Sequence, residues 1–125
     1  MSNLENILGK SSLLDLSKKL FNVVTKTVDF HEEHEINLDS KILQAETINF
    51  VLADGLGSEN LKLAKSDYLK DSNSFSVNST FPSSTNVALS TINYVSKPVE
   101  TSILGYYLFD REEHGLINAL NWNKE

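Results

Sequence analysis

The chain has 125 residues, of which 40% are hydrophobic and 22% charged, with a formal net charge of -6 and no cysteine. That length suits one compact domain, which buries roughly two thirds of its unfolded surface, and the composition excludes a depleted, highly charged disordered chain. The acidic balance excludes the basic surface that nucleic acid or anionic membrane requires, and the lack of cysteine excludes disulfides and thiolate zinc sites.

Glu5, Lys10, Asp15, Lys18 and Lys19 interrupt the first twenty residues, and no apolar run of membrane-spanning length follows. A soluble protein is expected, with the cytoplasm as its compartment. Asn78-Ser79-Thr80 matches a glycosylation acceptor, a triplet that chance supplies often and that matters only after secretion.

Leu13, Leu16, Leu20 and Val24 recur at helical spacing, with Leu14 and Phe21 beside them and Ser11 or Ser12 available as a cap. Residues 12 to about 26 are therefore predicted to form an amphipathic helix. Residues 27–45 are polar and acidic and read as a solvated connection, so that 1–45 make an amino-terminal helix and linker ahead of a domain at 46–125. Thr47 to Ala53 is rich in β-branched and large apolar residues and stops at Asp54-Gly55, the pattern of a buried strand running into a turn.

Leu56 to Tyr68 then suits a helix, and Ser74 to Val77 alternates as a second strand. Phe81-Pro82 breaks the pattern before helical spacing returns from Thr85 to Val95. Ile103 to Phe109 is apolar and aromatic, Asp110 to Gly115 a charged turn, and Leu116 to Trp122 apolar again. The alternation of strands and helices predicts an α/β layer.

Asp54 and Thr85 both fall where an open α/β sheet places ligands, at a strand's carboxyl end and a helix start. A carboxylate there can hold a divalent metal, and a hydroxyl can attack phosphorus. Each residue also has a plainer role: Asp-Gly is a common turn, and Ser83, Ser84 and Thr85 are all favoured helix caps.

The motifs say more together. Val51-Leu52-Ala53-Asp54-Gly55-Leu56-Gly57, then Phe81-Pro82-Ser83-Ser84-Thr85, then Ile103-Leu104-Gly105-Tyr106, then Gly115 to Trp122 occur in this order. In order and spacing they resemble the amino-terminal part of the type I phosphodiesterase/nucleotide pyrophosphatase family, in its bacterial and archaeal group, within the alkaline phosphatase superfamily. The resemblance covers residues 47–122, roughly three fifths of the chain.

The resemblance implies an α/β, alkaline-phosphatase-like sandwich with a mostly parallel sheet flanked by helices, of which this chain would be a truncated part. It implies hydrolysis of phosphate esters, with nucleotides as a substrate class and two divalent ions, zinc by expectation, as cofactors. On this likeness Asp54 is a metal ligand, Thr85 both nucleophile and metal ligand, and Tyr106 a phosphate contact.

Two departures stand out. Relatives usually carry Thr-Gly and His-Gly where this chain has Asn93-Tyr94 and Thr101-Ser102. The family's later ligands, an Asp followed by His, an Asp-His pair and a final His, have no counterpart here. The chain alone is therefore expected to bind metal poorly and turn over little.

Only three histidines exist. His31 and His34 lie three apart among glutamates, a spacing that can bind zinc on a helix, but without the His-Glu-x-x-His pattern they read as part of the acidic loop. His114 reads as an exposed turn. The alternative to a catalytic fragment is a non-catalytic binding module that retains part of the fold, and either version is expected to self-associate through an exposed sheet edge. A nucleotide-binding reading of Asp54-Gly55-Leu56-Gly57 fails where Asn60 replaces the third glycine.

Overall fold

A computed structural model of the chain describes residues 11–26, 29–63, 75–112, 114–121 and 123–124. Helix α1, Leu13–Thr25, begins on a capping box: the Asp15 N–H donates to Ser12 Oγ at 3.1 Å, and the Ser12 N–H donates to Asp15 Oδ2 at 2.9 Å. Two amide donors that a helix start leaves without intrahelical partners are thereby satisfied. The helix ends one turn beyond Asn22, whose carbonyl accepts from the N–H of Lys26, a left-handed residue at φ 52°.

Residues 29–36 are docked on α1 and are not the solvated linker that their charge predicts. Asp15 Oδ1 accepts from the Glu33 N–H at 2.8 Å, and the Asn22 amide bonds both the N–H and the carbonyl of Phe30, each at 2.8 Å. Lys18 and Ser11 donate to the carbonyls of His31 and Glu35, Phe30 meets Phe21 edge to face, and Ile36 is buried. The contacts run through backbone amides and carbonyls, which every sequence carries, so the acidic side chains gave no sign of them. His34 stands in this docked segment, its Nδ1 3.5 Å from Asp15 Oδ2.

Helix α2, Ser40–Leu43, is one turn long and capped by Asp39, which accepts from the Lys41 N–H at 2.8 Å. The strand predicted at Thr47 to Ala53 is irregular backbone without sheet pairing among the described residues, and Val51 is 85% exposed. An apolar, β-branched run becomes a strand only when a neighbour takes up its ladder, and propensity alone cannot supply one.

The Asp54-Gly55 turn forms as expected, closed by the Leu56 N–H donating to the Ala53 carbonyl at 3.3 Å. Gly55 sits at φ 74°, where a side chain would be strained. Helix α3, Ser58–Leu63, follows; the rest of the helix predicted to Tyr68 lies outside the described residues, as does Ser74 at the head of the second predicted strand. Residues 75–77 are irregular, and Asn78 forms a single parallel bridge to Ser12 through two backbone hydrogen bonds of 2.8 and 2.9 Å.

Helix α4, Thr85–Tyr94, packs against α1. Val87 and Thr91 are wholly buried, and Ser17 of α1 donates to the Ile92 carbonyl at 2.9 Å, which locks the two helices in register. The helix ends at Val95, a buried residue held at φ 52°, a conformation that costs a β-branched side chain. Helix α5, Pro98–Thr101, opens with proline at its first turn.

The chain closes on an antiparallel sheet in the order β1-β2-β3, with β1 at Tyr107–Asp110, β2 at Gly115–Asn118 and β3 at Asn123–Lys124. Tyr107 pairs with Asn118 and Asp110 with Gly115, and the predicted charged turn joins them, with His114 exposed at φ 51°. The protein is thus mixed α/β, and the sheet it forms among the described residues is antiparallel. No helix among the described residues is long and apolar enough to cross a membrane.

Candidate active site

Three segments far apart in sequence meet at one point. Asp54 comes from the turn before α3, Thr85 is the first residue of α4, and Tyr106 immediately precedes β1. The Thr85 hydroxyl donates to Asp54 Oδ2 at 3.0 Å across a separation of 31 residues. The Tyr106 hydroxyl donates to Thr85 Oγ1, also at 3.0 Å. Thr85 Oγ1 is therefore held from two sides, its proton aimed at a carboxylate and one of its lone pairs occupied by a phenol.

Each arm of this cluster is braced. The Asn60 amide donates to the Gly55 carbonyl at 3.1 Å and steadies the turn that carries Asp54. Asn86, buried beside Thr85, donates its amide to the Gly105 carbonyl, and the Ala119 N–H donates to the Tyr106 carbonyl at 2.7 Å. Tyr106 is thus fixed by both α4 and the hairpin. At the start of α4, the Ser84 side chain makes no capping bond to the helix backbone and instead donates to Asn86 Oδ1 at 3.0 Å. Asn86 was not singled out in the sequence, where its one sign was an amide, a poor helix former, in the first turn of a helix.

The cluster opens into a cleft of about 680 Å³. Its apolar wall is made by Leu13, Leu52, Leu56, Val77 and Ala88, and Ser79, Ser83 and Ser84 also line it. Asp54 is the only residue among the described lining that carries a formal charge, and no lysine or arginine is among them. His31, His34 and His114 do not line it.

Asp54 and Thr85 offer two oxygen donors 3.0 Å apart, close enough to serve one divalent ion, so they fit as part of a metal centre. No group of three or more His, Cys, Asp or Glu residues suited to a metal occurs among the described residues. No family model, curated protein or solved structure matches this chain.

Proposed function

We propose that the chain carries the nucleophile-bearing half of a metal-dependent phosphoesterase site of the phosphodiesterase/nucleotide pyrophosphatase kind. In this reading the described helices and turns belong to an alkaline-phosphatase-like sandwich with a mostly parallel sheet, and phosphate esters, nucleotides among them, are the substrates. The observation that carries it is the 3.0 Å hydrogen bond from Thr85 to Asp54, which joins the two residues that the family likeness names as nucleophile and metal ligand.

The chemistry follows from the hydrogen bonds. Thr85 Oγ1 attacks phosphorus while its proton passes toward the Asp54 carboxylate; an Oγ1–P bond forms, the bond from phosphorus to the leaving oxygen breaks, and the departing alkoxide takes a proton from water. The Tyr106 hydroxyl, released from Oγ1 as the new bond forms, is placed to donate to a phosphoryl oxygen. The amino end of α4, where Ser84 makes no capping bond, would offer its N–H groups to the same oxygens. Zinc held by Asp54 and Thr85 would acidify the hydroxyl and neutralise phosphoryl charge.

The test uses the chain with zinc and bis(4-nitrophenyl) phosphate. Release of about one equivalent of 4-nitrophenolate, with a 4-nitrophenyl phosphoryl group mapped to Thr85 by mass spectrometry, is the expected result. Asp54→Ala should weaken zinc binding at least about tenfold by calorimetry. Neither phenolate release nor an adduct on Thr85 after prolonged incubation would defeat the proposal.

A second reading, an interaction module that kept part of the fold, draws on the apolar surface. Phe81 is 94% exposed, Leu63 82% and Val99 74%, large apolar side chains that a partner surface would cover. Self-association is the expected consequence under both readings. Sedimentation equilibrium should show a mass that rises with concentration; a mass that stays monomeric throughout rules self-association out.

A further inference from the structure

The site's own lining constrains what it can take. Around the Asp54, Thr85 and Tyr106 cluster, the cleft offers hydroxyls and an apolar wall, with no cationic side chain among the described residues that line it. Leu52 and Leu56 flank Asp54 in sequence, and about half of the surface of each is open to solvent. Two leucines exposed beside a polar reaction centre leave an apolar surface that a substrate can cover.

Charge points the same way. A second anionic group on the substrate, lying beyond the phosphoryl group, would meet the Asp54 carboxylate as the one formal charge among the described lining residues, on a chain of net charge -6. An anion brought there without a lysine or arginine loses hydration and gains repulsion. An aryl or alkyl group loses no hydrogen bonds on entry and removes leucine surface from water. The cleft volume lies within the range of roughly 300–1,000 Å³ in which small molecules bind, ample for an aromatic ring.

We infer that this site selects phosphate esters of apolar, uncharged alcohols, aryl or alkyl, with a single phosphoryl group, and rejects esters whose alcohol portion carries further negative charge. The inference rests on the phosphoesterase reading and narrows its substrate class. The phosphoryl group sits at Thr85, and the ester group lies along Leu52 and Leu56 toward Val77.

The experiment measures binding, not turnover. Calorimetric titration of the full chain in the presence of zinc compares inorganic phosphate, phenyl phosphate and phosphoglycolate. Phenyl phosphate should bind at least about tenfold tighter than inorganic phosphate, and phosphoglycolate no tighter than inorganic phosphate. The Leu52→Asn/Leu56→Asn double variant should lose the phenyl advantage and keep the affinity for inorganic phosphate; both side chains are exposed, so the fold should tolerate the change.

Equal affinities for inorganic and phenyl phosphate, a preference for phosphoglycolate, or a phenyl advantage that survives in the double variant would each overturn the inference while leaving phosphate binding intact. Failure of all three compounds to bind would overturn the phosphoesterase reading, and this inference with it.

Discussion

Asp15→Ala is expected to destabilise the protein by about 3 kcal/mol, because one buried carboxylate holds two segments at once. Its side chain is almost wholly buried, and it accepts from the Ser12 N–H and hydroxyl through Oδ2 and from the Glu33 N–H through Oδ1. Alanine would strip the capping box from α1 and leave the Ser12 and Glu33 amides without their acceptor. The melting temperature should fall by roughly 10 °C on this estimate. Asp15→Asn, which keeps one acceptor oxygen, should lose about half as much. A melting temperature that barely moves for Asp15→Ala would show that residues 29–36 do not depend on this carboxylate.

The same residue sets an acid limb of stability. Burial, the largest single influence on Asp15, raises its pKa, but hydrogen bonds from the Ser12 side chain and from the Ser12, Glu33 and His34 amides together outweigh it and hold the carboxyl below its ordinary 3.8. A pKa depressed by folding stabilises the native state above the unfolded value, and that stability drains away as pH falls through the folded one. The difference in stability between wild type and Asp15→Ala should therefore be constant near neutrality and narrow below pH 3.8. Glu33, whose pKa is lowered chiefly by its hydrogen bond from Lys97, acts with the same sign, but the pair is exposed to water and salt and contributes less. A gap that stays constant down through the acid range would contradict this account.

Thr85→Ala should cut the rate of 4-nitrophenolate release about a thousandfold or more, a loss of roughly 4 kcal/mol of transition-state stabilisation, since it removes the hydroxyl that bonds Asp54 and is proposed to attack phosphorus. The residue is only partly buried at the head of α4, so its stability cost should stay near 1 kcal/mol and the loss cannot be blamed on unfolding. Thr85→Ser keeps a hydroxyl on the same carbon and should retain most of the reactivity. Tyr106→Phe removes the donor to Oγ1 and should cost about tenfold. Release that persists in Thr85→Ala would move the reaction to water or to another side chain and end the role proposed for Thr85.

Local patterns read truly where a short stretch contains its own reasons. A serine at 11 or 12 to cap the start, and leucines at helical spacing behind it, were enough for α1, while the capping box between Ser12 and Asp15 emerged only in the structure. The return of helical spacing after Pro82 located α4, and the Asp54-Gly55 pair located its turn. The apolar segments either side of the charged stretch 110–115 became the β1-β2 hairpin because the strands and their turn are adjacent in the chain. Thr47 to Ala53 had the composition of a strand and is not paired as one, since pairing is a property of two segments and composition belongs to one.

What this sequence determined by itself is a set of local preferences, the mixed α/β class and the acidic balance of charge, with Asp54 and Thr85 marked by their positions and Tyr106 only by a family likeness. The tertiary structure alone decided that residues 29–36 fold back onto α1, that Asn86 anchors Gly105, and that a tyrosine and an aspartate from opposite sides in sequence both bond one threonine oxygen. The reason is physical: helix caps and turns are settled by neighbours within a few bonds, whereas a site is a meeting of distant segments whose distances depend on how the whole chain packs.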